Sequence, residues 1–416
     1  MQIVSNHMLF TTMSLHKTKV FLYLTSLIVT TVLLTYSDLI VTHQPALILE
    51  GSVRASTLKT NQVVAMRWPT HGEAAVGASD FGVLATHGSH RSVPMASTAK
   101  IMTALAVLTT RPLTSDHDAT PIITLTQADV DIYNSFVAKD GSVILVAAGE
   151  RISEYQALQA MLLPSADNMA DSLAIWAFGS LHAYTTYANQ LAAQLGLKDT
   201  HLADASGLSP ASTSTAADLV KLSLAAMNKP AFADIVRQPS AVVPVAGRTR
   251  NCNFLLGRDG IIGVKTGSTD ESGGVFVVAA SHQIGGRTIT VTATVMGESS
   301  LRRSMLDSVP LLLSAEHNFV RKVIMRKDTT VGTYDAPWGS EVNLITTKNL
   351  NLVVWGGSSI RTTDNIESLH VATNFASSSV GTVLATSGGV SAHVPIVTSG
   401  VIADPSLWFR MRHPIS

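Results

Sequence analysis

Between Lys19 and Asp38 the chain runs for eighteen residues without a charge, VFLYLTSLIVTTVLLTYS. That is close to the roughly 20 apolar residues a helix needs to cross a bilayer. Such a run divides the chain before any other feature is read. His16, Lys17 and Lys19 precede it, which by the positive-inside rule keeps the N-terminus cytoplasmic and sends the bulk across. A cleaved signal peptide is the competing reading. Its apolar stretch should be about 7–15 residues and end at a small-x-small site, whereas this one ends in TYSDLIVTHQP. A buried core helix fits poorly, because Thr and Ser are scattered through the run without amphipathic spacing. Either of the first two readings exports the remainder. The expected division is a cytoplasmic tail and transmembrane anchor over 1–38, a linker over 39–61, a main domain over 62–319 and a β-rich domain over 320–416.

The chain as a whole is apolar, sparsely charged and without net charge: 46% hydrophobic and 14% charged, with 29 Lys plus Arg against 29 Asp plus Glu. Disorder as the main state is excluded. Nucleic acid is excluded as a partner, since no cationic excess exists to displace phosphate counterions. A single Cys252 excludes an internal disulfide framework and a cysteine-based zinc site.

Along the chain, strand-like runs at Glu73–Val76 and Phe81–Thr86 precede helical spacing over Ser97–Leu108, with Ile101, Leu105 and Leu108 on one face. Further helices are expected over EYQALQAMLL, ended by Pro164, over MADSLAIWAF, up to Gly196, and over Ala216–Met227, which Thr215 and Asp218 start in capping-box fashion. The period then changes. Ile261–Val264, Gly274–Ser281 and Thr288–Met296 read as strands, the last two joined by the hairpin signal HQIGGR, and Ser299–Phe319 as a covering helix. From Val320 onward Thr, Ser, Val and Gly dominate and helical periodicity disappears.

Three short stretches carry candidate chemistry. Ser97-Thr98-Ala99-Lys100 begins an apolar helix, and residues three apart share a helix face. A serine hydroxyl needs an adjacent base to act as a nucleophile, and a lysine serves when burial disfavours its charge. The alternative is a capping Ser and a solvated Lys. Lys265-Thr266-Gly267, followed by Ser268, ends an apolar strand. It could hold a carboxylate, with Gly267 admitting close backbone approach, or be a plain strand end. Ser165-Ala166-Asp167-Asn168 follows Pro164 and taken alone reads as a helix N-cap. His87 and His90 lack a third metal ligand. Glu150 and Glu154 have no support as a deacylating base, and Cys252 reads as a structural thiol.

In this order, S-x-x-K, an S-x-N-like loop and K-T-G form the signature set of penicillin-recognising serine enzymes. With the flanks PMASTAKIMTAL, GERISEYQALQAMLLPSADNMAD, DASGLSPASTSTAADLVKL and NFLLGRDGIIGVKTGSTDESGGVFVVAAS, the stretch from about Val63 to Phe319 resembles the D-alanyl-D-alanine carboxypeptidase family of low-molecular-mass penicillin-binding proteins. The tail, with VGTYDAPWG, looks like the small β domain many members carry. The resemblance implies an α/β (α+β) DD-peptidase/β-lactamase-like transpeptidase fold, an antiparallel sheet with flanking helices, plus a small C-terminal β domain. It implies that Ser97 attacks the peptide bond between two D-alanines of a peptidoglycan stem peptide, with Lys100 as base and Ser165 as proton relay. It further implies that Lys265 and Thr266 hold the terminal carboxylate, that the N–H groups of Ser97 and Ser268 form the oxyanion hole, and that β-lactams acylate Ser97. No cofactor or metal is implied. A DD-endopeptidase, a β-lactamase or a non-catalytic cell-wall peptide binder are the alternatives.

One position departs from the family. The third residue of the S-x-N loop, usually Asn, is Asp167, with Asn168 next. Three outcomes are open: the loop shifts so that Asn168 takes the role, Asp167 is held by Lys100 or Lys265, or activity is low. The first two are expected, because Ser97, Lys100 and K-T-G are intact.

Overall fold

The computed structural model describes residues 3–42, 47–51, 56–60, 64–113, 121–367 and 379–413. Its centre is a five-stranded sheet, every neighbouring pair antiparallel, in the order Ile261–Thr269, Gly273–Ile284, Arg287–Glu298, Glu73–Ala78, Gly82–His87. Strand side chains alternate between faces, and both faces are covered. Ala75, Val275, Val277 and Ala279 meet the helices Lys100–Thr110, Glu154–Leu162, Asp167–Phe178 and Ala216–Met227 in one core. Phe276, Val278, Val291, Ala293 and Val295 pack with Met305, Leu311 and Leu312 of the helix Leu301–Glu316 in the other. Burial on both faces explains why these strands read as nearly continuous apolar runs. An α/β fold with an antiparallel sheet flanked by helices is therefore as the sequence leads one to expect.

Strand-rich structure follows. A seven-stranded antiparallel sheet runs Ile48–Glu50, Thr330–Asp335, Glu341–Thr346, Val390–Thr398, Ser379–Ser387, Ser359–Ile366, Ser56–Lys59. The pair Phe319–Met325 and Leu350–Trp355 stands beside it. Tyr334, Leu344, Val354, Ile360, Val383 and Ile396 fill its core.

Two readings need correction. The 39–61 segment is not merely connecting chain: Ile48–Glu50 and Ser56–Lys59 close opposite edges of the seven-stranded sheet. Strands of three and four residues are too short to show a period. The helix expected from Ser97 starts one turn later, at Lys100, because Ala96–Ala99 winds as a 3₁₀ turn. The N-terminal helix spans Ile3–Thr42. Its Lys17–Ser37 portion is the one helix among the described residues long and apolar enough to cross a membrane, and none of it is buried. A core helix is thereby ruled out for that run.

Candidate active site

Ser97 sits on the 3₁₀ turn, preceded by Ala96 in the left-handed region at φ 47°. The loop at Gly207 packs against the carbonyl of Ala96 so closely that a Cβ there would come within 1.9 Å of it. Gly207 also has φ +77°, so only glycine fits on both counts. On the other side, a Cβ on Gly267 would lie 3.0 Å from the Ser97 nitrogen. The K-T-G end of the edge strand thus runs directly beside the serine, and Ser268, paired with Gly274, stays exposed at the rim.

Lys100 is fully buried. Its Nζ donates to Ser97 Oγ at 2.9 Å, to Asp167 Oδ1 at 2.6 Å and to the Ser206 carbonyl at 2.9 Å. The residues DASGLS present that carbonyl because their loop is folded around Asp204. Its carboxylate accepts from Ser206 Oγ, Ser212 Oγ and the Ser209 N–H. Ser206 is a site residue that motif reading misses, since a backbone carbonyl leaves no side-chain signature.

Lys265 is also buried and points inward: Nζ donates to Ser165 Oγ at 2.8 Å and to the Thr266 carbonyl at 2.9 Å. Burial, then the nearby Lys100, push its pKa down to about 7. Ser165 holds φ 70°, a conformation costly for a residue with a Cβ. It is the last residue but one before the helix Asp167–Phe178.

Asp167 and Asn168 resolve the departure noted above. Asn168 is buried away from the chemistry, its amide clamped to the Ile144 backbone: Oδ1 accepts from the Ile144 N–H at 3.1 Å and Nδ2 donates to its carbonyl at 3.0 Å. The shifted-loop expectation is thus not met, because both ends of that amide are engaged. Asp167 is instead held by Lys100, and its Oδ2 accepts from the Ser142 N–H at 2.8 Å. The segment 141–146, which has no periodic pattern, forms the wall that holds both side chains. One helical turn on, Asp171 has its pKa pushed up to about 7 by burial and by the neighbouring Asp204 and Asp167 carboxylates.

Ser97, Lys100, Ser165, Asp167, Lys265, Thr266 and Gly267 therefore converge, with Ser268 at the rim and Asn168 one layer behind. Cys252, expected as a structural thiol, lies near Lys265. It is exposed, and its N–H donates to the Leu163 carbonyl. His87 stacks on Trp68, away from this cluster. Among the described residues no group of His, Cys, Asp and Glu could hold a metal ion. A separate apolar groove of about 630 Å³, lined by Met66, Val309 and Leu313, lies against the helix on the other face of the sheet.

A hydroxyl, an amine 2.9 Å away and a second lysine–serine pair in one buried cluster are the elements of acyl transfer through a covalent intermediate. The family model described as D-alanyl-D-alanine carboxypeptidase matches residues 75–300. The chain is 34% identical over 216 residues to the D-alanyl-D-alanine carboxypeptidase DacB2 of Mycobacterium tuberculosis, covering 50% of this chain and 69% of that one. It is 32% identical over 235 residues to a D-alanyl-D-alanine endopeptidase of Haemophilus influenzae, covering 54% and 75%. Among solved structures it is similar to the Streptomyces K15 DD-transpeptidase, with 27% identity, a TM-score of 0.52 and coverage of 61% of this chain and 98% of that one.

Proposed function

The chain belongs to the D-alanyl-D-alanine carboxypeptidase family, and on that premise we propose that it is an exported serine D-Ala-D-Ala carboxypeptidase that works through an acyl-enzyme on Ser97. Family membership carries D-Ala-D-Ala peptidase activity of the penicillin-binding type.

The observation that carries the reading is the 2.9 Å contact of Lys100 Nζ with Ser97 Oγ inside a fully buried lysine environment. As Ser97 Oγ bonds to the carbonyl carbon of the penultimate D-alanine, its proton passes to the Lys100 nitrogen. The N–H groups of Ser97 and Ser268 would donate to the oxygen that gains charge, where fixed donors act most strongly. The C–N bond then breaks. The departing D-alanine takes that proton from Lys100 by way of Ser165, whose hydroxyl is aligned by Lys265; water then hydrolyses the ester, its oxygen bonding to the carbonyl carbon and its proton returning to Ser97 Oγ. Thr266, beside Lys265 at the strand end, offers its hydroxyl to the terminal carboxylate. No cofactor enters the scheme. The Lys17–Ser37 helix would hold the enzyme at the membrane, with peptidoglycan and β-lactams reaching the exported site.

A second reading is favoured by the Haemophilus relative, an endopeptidase by name: cleavage of D-alanyl bonds within cross-links by the same acyl-enzyme. Supplying the purified full chain separately with diacetyl-Lys-D-Ala-D-Ala, a cross-linked peptide dimer and benzylpenicillin discriminates the readings. Free D-alanine as the dominant product supports the carboxypeptidase. Dimer cleavage without D-alanine release replaces it with the endopeptidase, and rapid penicillin turnover with a β-lactamase.

A further inference from the structure

An ammonium group has three donors and no acceptor, whereas a neutral amine has two donors and one lone pair. Two of the three partners of Lys100, the Asp167 carboxylate and the Ser206 carbonyl, can only accept. They fix two N–H groups and leave the third position of nitrogen directed at Ser97 Oγ. If that position carries a proton, Lys100 donates to the serine and cannot activate it. If it carries the lone pair, Lys100 is the base. A single proton therefore separates the idle site from the competent one, and the carboxylate 2.6 Å away bears on where that proton rests.

We propose that Asp167 is a positioning residue that both aims the Lys100 nitrogen at Ser97 and acts as an electrostatic brake, holding the resting site as an ammonium–carboxylate pair that must lose one proton before acylation. This deepens the serine-enzyme reading and rests on it. The proton leaves Lys100 for a solvent base. The Ser97 proton then moves to the vacated position as the Oγ–carbon bond forms, and it departs with the leaving amine as the carbon–nitrogen bond breaks. After water hydrolyses the ester and its proton restores the Ser97 hydroxyl, Lys100 takes back one proton from solvent and the ammonium–carboxylate pair with Asp167 re-forms.

The surroundings do not supply a rival counter-charge of equal reach. Lys265, on the edge strand, opposes a second cation in the site, and the thiol of Cys252 stands beyond it. Asp171 on the same helix and Asp204 on the facing loop add negative charge, and Lys139 lies at their margin. Asp204 is occupied by hydroxyl and N–H donors, and one oxygen of Asp171 is buried without any partner. Asp167 is the carboxylate in direct contact with the base. Its other oxygen is tied to the Ser142 N–H, so it cannot swing away from Lys100 without breaking that bond.

The test is the second-order rate of acylation by a fluorescent penicillin, measured from pH 5.5 to 9.5 on the full chain and on Asp167→Asn, with folding of each checked by thermal unfolding. In the parent the rate should climb by about tenfold per pH unit until the base is free. In Asp167→Asn the climb should move down by roughly one to three pH units, the usual reach of one adjacent opposite charge. The variant should then acylate faster than the parent at pH 6 and converge with it at high pH. A parent profile flat from pH 6 to 9 overturns the proposal without any variant. So does a folded Asp167→Asn that is slower at every pH with an unmoved midpoint, or one that is not acylated at all. Should Asp167→Asn fail to fold, Asp167→Ser is read by the same criteria. A parent that penicillin never labels at any pH strikes the serine-enzyme reading itself, an outcome distinct from a flat profile.

Discussion

The helix-and-sheet region and the strand-rich region treat buried polarity in opposite ways. Around the five-stranded sheet, Lys100, Lys265, Asp167, Asp218, Glu154 and Glu298 are all buried. Beyond Phe319, the buried polar residues among those described are Thr346, Thr362, Ser387 and Thr398, hydroxyls without charge. Burying charge costs several kcal/mol per ion unless it is paired, whereas a buried hydroxyl needs only a hydrogen bond. The first region thus buries whole ionisable side chains, whereas in the second the unpartnered buried side-chain atoms among those described are Ser387 Oγ and one oxygen of Asp335. Two of the charges buried in the first region, Lys100 and Lys265, lie at the candidate site, against Ser97 and Ser165.

The largest effect should come from breaking the buried pair. Lys100→Met removes the base and strands Asp167 with no counter-ion. Acylation by penicillin should fall by at least about 10³-fold, of the order expected for losing a general base. Stability should drop by about 3–5 kcal/mol in urea unfolding. Retention of both would mean that the Lys100–Asp167 contact is incidental.

Glu154 tests whether every buried charge in the first region is functional. Burial raises its pKa from 4.5 to about 7, and neither carboxylate oxygen has a hydrogen-bond partner. An acid whose folded pKa exceeds its unfolded value loses stability as pH rises from 4.5 through 7. Glu154→Gln should therefore leave stability little changed near pH 4.5 and raise it by about 2 kcal/mol at pH 8, with penicillin acylation unaltered. Loss of acylation in a folded Glu154→Gln would extend the catalytic network well beyond the motif residues.

The smallest effect belongs to the strand-rich region. Thr346 Oγ1 donates to the Arg326 carbonyl and accepts from the Thr329 N–H. Thr346→Val should cost about 1 kcal/mol in unfolding and leave D-alanine release untouched. A fall in catalytic rate larger than the stability loss would show that this sheet acts on the site, and would weaken the contrast.

Much of the helix-and-sheet region is legible because its elements are long and strongly patterned. The helix Ala216–Met227 is announced by Thr215 and Asp218, and the Thr215 hydroxyl does accept from the Asp218 N–H. The strands Gly273–Ile284 and Arg287–Glu298 are long apolar runs around a Gly-Gly turn. The helix Gln127–Val137 is missing from the sequence reading although Asp129 accepts from the Thr126 N–H at its start. That capping pair was the available signal, and a mostly exposed helix adds little apolar period to it. The site divides along similar lines. Ser97 and Lys100 are three residues apart, so helical geometry alone brings them together. Lys100 and Asp167 are 67 apart, and only tertiary packing chooses between Asp167 and Asn168. What decides it is the engagement of Asn168 by the Ile144 backbone, which no side-chain pattern records.

The proposed chemistry stands on Ser97 becoming covalently bound to the carbonyl of a D-Ala-D-Ala mimic. Intact mass of the full chain after benzylpenicillin, followed by peptide mapping, tests it directly. One added penicilloyl mass is expected on the peptide bearing Ser97 and none in Ser97→Ala. An unmodified parent, or an adduct that persists in Ser97→Ala, would contradict it.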